Sequence, residues 1–121
     1  MNKLKASDLR IGNVIMFHDV EDGDMPLAID WQEIKAVTKD PERFNAYHSP
    51  IPLTEEILLK CGFEKNHDGI IHCNIAGVFV FYLPTTQRIV IGSDFAVKKH
   101  YLHELQNLIY AKLNEELTIN L

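Results

Sequence analysis

The chain has 121 residues, of which 46% are hydrophobic and 24% are charged, with a formal net charge of −5. These values match an average soluble globular protein, so they argue against a disordered chain, a collagen-like repeat and a disulfide scaffold. The acidic balance and the scattered lysines and arginines also disfavour a nucleic-acid partner, which needs clustered cations against its phosphates.

The length predicts a single domain over residues 1–121, and the elements described below give it the α+β class. The longest apolar run, Ile75 to Leu83, is far shorter than the about 20 residues of a transmembrane helix, so no membrane association is expected. No apolar stretch follows the basic N-terminal residues, which argues against a secretory signal. Cys61 and Cys73 are the only cysteines, and both thiols are expected to be reduced in a cytoplasmic protein.

The first third of the chain predicts a β-hairpin. The dipeptide Gly12-Asn13 supplies a turn that leads into an apolar strand over Val14–His18. Asp22-Gly23 is a favoured hairpin pair, and alternating apolar residues after it predict the return strand within residues 28–37.

A connection and a short helix follow. Three prolines indicate a surface connection over residues 39–52, with at most a short strand at 44–47. Thr54 is a good N-cap, because its hydroxyl oxygen can accept from a first-turn amide. Gly62 suits the left-handed position after a helix, so the pattern predicts a helix over Thr54–Cys61.

Three successive strands are predicted next, over Ile70–Ile75, Val78–Leu83 and Arg88–Ile91, with a short strand at Phe95–Val97. The segment Val78–Leu83 is apolar at every position. This pattern favours a central strand that is covered on both faces.

The last helix is expected over residues 100–113. Its apolar stripe comprises Tyr101, Leu102, Leu105, Leu108, Ile109 and Leu113. Its polar side, expected to face water, carries His100, His103, Glu104 and Asn107. Alternating apolar residues at 117–121 indicate an edge strand. The predicted fold class is therefore α+β: an antiparallel sheet with a short central helix and a longer C-terminal helix packed on one face.

Two clusters have metal-ligand residue types. His100, His103 and Glu104 lie at helical spacing, but their order matches neither His-Glu-x-x-His nor its inverse. The second cluster comprises Cys61, His67, His72 and Cys73, without a Cys-x-x-Cys knuckle. A solvated helix face and a set of separate core and loop residues explain these clusters more simply, so no metal ligand and no cofactor is assigned.

No catalytic residue is assigned either. Ser7, Ser49 and Ser93 lie in no Gly-x-Ser-x-Gly setting, and the chain contains no glycine-rich phosphate loop. The candidate binding residues lie on the outer side of the last helix, which mixes imidazole, amide and phenol groups: His103, Gln106, Asn107 and Tyr110. The expected partner is a protein, a second copy of the chain included.

Three segments in this order carry a family resemblance: Leu9–Asn13, Pro50–Lys65 and Tyr101–Ala111. Together they resemble a family of small uncharacterised proteins from gut bacteria of the Bacteroides group and from their phages and mobile elements. The resemblance implies a cytoplasmic accessory protein and transfers no catalytic residue. The leading hypothesis is therefore a non-catalytic binding or adaptor protein of phage or mobile-element origin. The alternative is a metal-binding module or a metal-dependent hydrolase that uses His100, His103 and Glu104.

Overall fold

A computed structural model describes residues 3–93 and 95–121 of the chain. In chain order its helices and strands are β1 (Val14–Asp19), β2 (Gly23–Ala28), α1 (Trp31–Lys39), α2 (Pro41–Tyr47), β3 (His48–Ser49), α3 (Glu55–Lys60), β4 (Glu64–Lys65), β5 (Ile71–Ile75), β6 (Val78–Leu83), β7 (Arg88–Ile91), β8 (Phe95–Lys98) and α4 (Leu102–Leu113). All strand pairs are antiparallel, so the predicted α+β class with a C-terminal helix is confirmed. Across the described residues, no helix combines the length and apolarity that a bilayer-spanning segment needs.

The chain divides into two compact units. The first unit contains the residues up to Pro52 together with Tyr101–Asn107, and the second contains Leu53–His100 and Leu108–Leu121. Each unit has its own antiparallel sheet, whereas the sequence pattern had suggested one sheet for the whole chain. The expectation of a single domain stays a prediction, because compact units within one chain can belong to one domain or to two.

The first unit is built on a three-stranded sheet in the order β2-β1-β3. β1 pairs with β2 along its whole length, and with β3 through Met16 and Phe17. One side of β1 faces the core through Ile15, which is fully buried. The buried residues that pack with it are Leu4, Ile29, Val37 and Phe44. Because side chains alternate along a strand, His18 lies on the opposite side from Ile15.

The predicted return strand over residues 28–37 is wrong in its position. The strand that returns is β2, and the following residues form α1. Asp30 caps this helix, because its carboxylate accepts from Gln32 N at 2.8 Å while Glu33 Oε1 accepts from Asp30 N at 2.9 Å. This reciprocal capping box stabilises the first turn of α1, so the alternation of Ile29 and Trp31 did not extend into a strand.

The predicted surface connection over residues 39–52 is also wrong, because half of it is helical. In α2, Pro41 occupies the first turn, where a missing N–H is tolerated. The Asp40 carboxylate accepts from Arg43 N at 3.2 Å and caps the helix. The predicted strand at 44–47 is therefore helix, and Phe44 is buried in the core of the first unit.

Most of the elements predicted in the second unit are confirmed. Thr54 caps α3 by accepting from Ile57 N at 3.2 Å. Gly62 has φ +88° after that helix, which is the left-handed conformation that glycine adopts without strain. Phe63 N donates to Leu58 O at 3.1 Å, so the chain folds back on the helix as a Schellman-type end.

The sheet of the second unit has the order β4-β5-β6-β7-β8, so β6 is central as predicted. Its buried face carries Ile71, Val80, Tyr82, Ile89 and Ile91. The expected cover on both faces is wrong, because Phe79 is 53% exposed on the opposite face. β6 is thus buried on one side only, although its sequence is apolar throughout.

The C-terminal helix α4 buries the central part of its predicted stripe, Leu102, Leu105, Leu108 and Ile109. The predicted edge strand at 117–121 does not form within the described residues. Instead, Asn120 N donates to Lys60 O at 3.0 Å in the second unit.

Candidate functional site

The binding residues predicted on α4 do not form an open surface. His103 and Gln106 are only 5% and 4% exposed, so the prediction that this side of the helix faces water is wrong. Asn107 is partly buried, and only Tyr110, at 42% exposure, is open to solvent. A second layer of chain covers the polar side of the helix within the first unit.

That layer is the turn before β1, which two amides of α4 hold in place. Gln106 Oε1 accepts from Val14 N at 2.8 Å, and Gln106 Nε2 donates to Gly12 O at 3.0 Å. This one side chain pairs with a backbone donor and a backbone acceptor of the partly buried turn, so it takes the place of a backbone partner for each.

Asn107 completes the same network through a second, partly buried amide. Its Oδ1 accepts from Asn13 Nδ2 at 2.8 Å and from Arg10 Nε at 3.2 Å, and its Nδ2 donates to Asp8 O at 2.9 Å. Asn13 is fully buried, and its Oδ1 accepts from Arg10 N at 2.7 Å. We call Asn13, Gln106 and Asn107 the amide clamp. Their groups are used inside the fold, which gives them a structural role.

The predicted histidine cluster of α4 is not assembled as a metal site. The Glu104 carboxylate accepts from Tyr101 N at 3.1 Å and acts as a capping group of the first helical turn. The His103 ring is buried and stacks near Tyr101 at 6.0 Å, whereas His100 is exposed. Among residues 3–93 and 95–121, no group of three or more His, Cys, Asp or Glu side chains is arranged to hold a metal ion.

The second cluster separates into a buried thiol, a partly buried thiol and two histidines in different places. Burial raises the pKa of the Cys61 thiol to about 11, and the charge of Cys73 adds to the rise. Burial and the nearby Glu64 also raise the pKa of Cys73. Both thiols are therefore protonated and poorly nucleophilic at neutral pH. His67 is an exposed loop residue, and His72 lies on the open face of the sheet.

The open face of the second unit carries a contiguous group of rings. Phe79 and Phe81 are stacked with centroids 6.1 Å apart, and His72 lies 6.4 Å from Phe81 across the strand pair. The register continues this face to Leu83, which is 41% exposed and pairs with Arg88. We call these residues the aromatic face: His72, Phe79, Phe81 and Leu83, with Arg88 and Lys98 at its rim.

The sequence of β6 contains a signal for the aromatic face. Phe79 and Phe81 are two residues apart, so they share one side of a strand, while Val80 and Tyr82 share the other. Both sets are apolar, so the pattern alone could not tell which side is covered. The structure assigns the buried side to Val80 and Tyr82.

Three polar side chains meet on the outer side of the sheet in the first unit. His18 Nδ1 lies 2.7 Å from Asp24 Oδ1, and His18 Nε2 lies 2.8 Å from Ser49 Oγ. His18 and Asp24 are direct cross-strand partners in the β1–β2 register, and Ser49 lies on β3 at the other edge of β1. Sequence motifs assign no catalytic residue here, because three side chains that strand pairing brings together leave no motif in the chain.

Comparison with known proteins identifies no family model, no curated protein and no solved structure that matches the chain.

Proposed function

We propose that the protein is a binding module that recognises another protein through the aromatic face. The observation that carries this proposal is the group of rings on the uncovered side of β6, where Phe79 is 53% exposed. An aromatic side chain can bury about 150–250 Å² of surface, and such residues dominate the energetics of protein interfaces.

The exposed ring contributes little to its own fold. Val80, the next residue of β6, is fully buried and supports the core of the second unit. Phe79 points the other way and gains only partial burial against Phe81. A partner that covers the remaining area would remove apolar surface from water at about 25 cal/mol per Å², which is the driving force of association.

The charges at the rim favour a protein over a nucleic acid. Arg88 and Lys98 are exposed at one side of the aromatic face, whereas Glu64 pairs with His72 at the opposite edge of the sheet. Two cations beside an anion, in a chain of net charge −5, do not form the clustered positive surface that phosphates require. The matching partner presents an apolar centre with acidic side chains opposite Arg88 and Lys98.

The biological setting belongs to the same proposal. The resemblance of three segments to proteins of phages and mobile elements supports an accessory role in that context. Both cysteines are free thiols, which agrees with a reducing cytoplasm. A second copy of the chain is included among the partners, since Glu64 and Lys98 at opposite sides of the face are complementary charges.

The experiment compares partner capture by three forms of the protein in its host. Phe79→Ser removes the most exposed ring of the aromatic face, and Trp31→Ser is the matched control, because Trp31 is an exposed aromatic residue of the first unit at 59% exposure. The proposal predicts a protein that the wild type and Trp31→Ser retain and that Phe79→Ser loses. Sedimentation of the three purified forms tests whether the partner is a second copy of the chain. A second copy is the partner if only Phe79→Ser lowers the mass of the sedimenting assembly.

A partner retained equally by Phe79→Ser would contradict the proposal, and so would capture of single-stranded nucleic acid in place of protein. Circular dichroism of each variant checks that it is folded, so that loss of a partner is not caused by unfolding.

A further inference from the structure

The Asp24–His18–Ser49 cluster has the order of contacts of a hydrolytic triad. One imidazole bridges a carboxylate on one ring nitrogen and a serine hydroxyl on the other, at 2.7 Å and 2.8 Å. These distances are within the range that couples a base to its nucleophile and an orienting acid to that base. Such sets are recognised by geometry and not by order in the chain.

The hydrogen bonds fix the tautomer of neutral His18. The Asp24 carboxylate can only accept, so Nδ1 of His18 carries the proton and donates it to Oδ1. In the neutral ring Nε2 then has a free electron pair, which accepts from the Ser49 hydroxyl. This is the arrangement in which an imidazole can take the serine proton as a general base.

A cleft beside the cluster has room for a small substrate. Its volume is about 530 Å³, and His18 lines it together with Phe17, Val20, Arg43 and Tyr47. The aromatic walls suit an acyl or aryl group. Asp19 and Glu21 line the cleft together with Arg43, so its charges are of both signs, which suits an uncharged substrate. His48, which also lines the cleft, is fixed by its Nδ1 hydrogen bond to Phe44 O at 2.8 Å and by stacking on the Phe44 ring.

We propose that Ser49 is a nucleophile that His18 activates toward small, uncharged, activated esters. The Ser49 Oγ attacks the acyl carbon while its proton passes to His18 Nε2. The bond from the acyl carbon to the leaving oxygen breaks, and that oxygen takes the proton from His18. Water then attacks the acyl-serine, gives one proton to Ser49 Oγ through His18, and releases the carboxylic acid.

Asp24 is a positioning residue in this step. It does not reach the substrate but keeps the Nδ1 proton in place and so presents Nε2 to Ser49. Its side chain is 65% exposed and that of His18 is 37% exposed, so water competes for both groups. Slow turnover with activated substrates is therefore expected, in place of the rates of a dry active site.

The test is covalent labelling of the full chain with an alkyl fluorophosphonate. Ser49 Oγ forms a bond to phosphorus, fluoride leaves, and His18 accepts the hydroxyl proton, so the adduct marks an activated serine. Peptide mass spectrometry is expected to locate the adduct on Ser49. His18→Gln is expected to slow labelling roughly a hundredfold, the range of a general base. Ser7→Ala is the control, because Ser7 is an exposed serine outside the cluster.

The variant Asp24→Asn tests whether Asp24 acts by positioning the His18 ring or only by supporting the fold. An amide can donate to Nδ1, so this variant is expected to move the neutral His18 proton toward Nε2, visible in long-range ¹H–¹⁵N correlation spectra, and to slow labelling at least tenfold. No adduct on Ser49, or equal labelling rates in the wild type and His18→Gln, overturns the proposal. Labelling of the purified chain needs no partner protein, so this activity and the binding function of the aromatic face fail independently.

Discussion

The amide clamp of the first unit and the aromatic face of the second differ in whether their side chains have partners within the fold. Gln106 and Asn107 are polar residues that a helical pattern assigns to water, yet their amides pair with backbone and side-chain groups of the turn before β1. Phe79 is an apolar residue that a strand pattern assigns to the core, yet half of its surface is open. The difference teaches that a binding surface is recognised by groups left without internal partners, and not by residue type.

The largest expected effect is the loss of stability when the amide clamp is broken. Gln106→Ala removes a buried side chain and leaves the partly buried Val14 N and Gly12 O without its amide, and each such group left unsatisfied costs on the order of 1–3 kcal/mol. We expect the free energy of unfolding to fall by about 3 kcal/mol, measured by chemical denaturation. Gln32→Ala, at an exposed glutamine of α1, is expected to change it by less than about 0.5 kcal/mol. Equal effects of the two substitutions would show that Gln106 has no clamping role.

Substitutions of two adjacent residues of β6 compare the buried side of this strand with its exposed side, the aromatic face. Val80→Ala creates a cavity at a fully buried position and is expected to lower the free energy of unfolding by about 2 kcal/mol. Phe79→Ser acts on the exposed side of the same strand and is expected to cost less than about 1 kcal/mol. Thermal and urea unfolding of both variants check this order. A larger loss for Phe79→Ser would mean that its face is buried in solution.

The capping box of α1 gives a smaller effect in the first unit. Asp30→Ala removes the carboxylate that accepts from Gln32 N, and loss of such a cap costs about 1 kcal/mol. Unfolding by urea measures the change. Asp22→Ala, in the hairpin turn, is the control with an expected change within about 0.5 kcal/mol.

The last expected effect concerns pH and is absent at neutral pH. The pKa of Cys61 rises from 9.0 to about 11 in the fold, so the unfolded chain loses this proton first as the pH rises. The contribution of the thiol to stability is therefore complete below pH 9 and is lost as the pH passes through about 11. We expect the stability of the wild type to fall more steeply over this interval than that of Cys61→Ala, measured by urea denaturation at each pH. Parallel curves would show that Cys61 ionises equally in both states.

Sequence patterns were informative where local chemistry determines structure. Thr54 and Gly62 delimit α3 because a cap and a left-handed glycine act within a few residues. The same kind of signal was present at Asp30 and Glu33, where Asp-x-x-Glu forms a capping box, and at Asp40-Pro41. Weighing these caps above the alternation of Ile29 and Trp31 would have predicted α1 and α2.

The sites depended on contacts between distant residues, which a single sequence does not specify. The clamp joins Gly12 to Gln106, and nothing near α4 indicates that its polar side is covered. The Asp24–His18–Ser49 contact depends on the β1–β2 register, and moving the hairpin turn by one residue would place His18 and Asp24 on different sides of the sheet. Both features follow from tertiary structure, which patterns of single elements leave open.

The most direct test of the central claim places a photoreactive benzoyl-phenylalanine at position 79 or, as the control, at position 31. The aromatic face predicts a specific cross-linked protein from position 79, at a mass that position 31 does not yield, because a bound partner covers the former ring and not the latter. Cross-links of equal yield and identity from both positions, or a specific product from position 31 alone, would contradict the assignment of the binding surface to the sheet of the second unit.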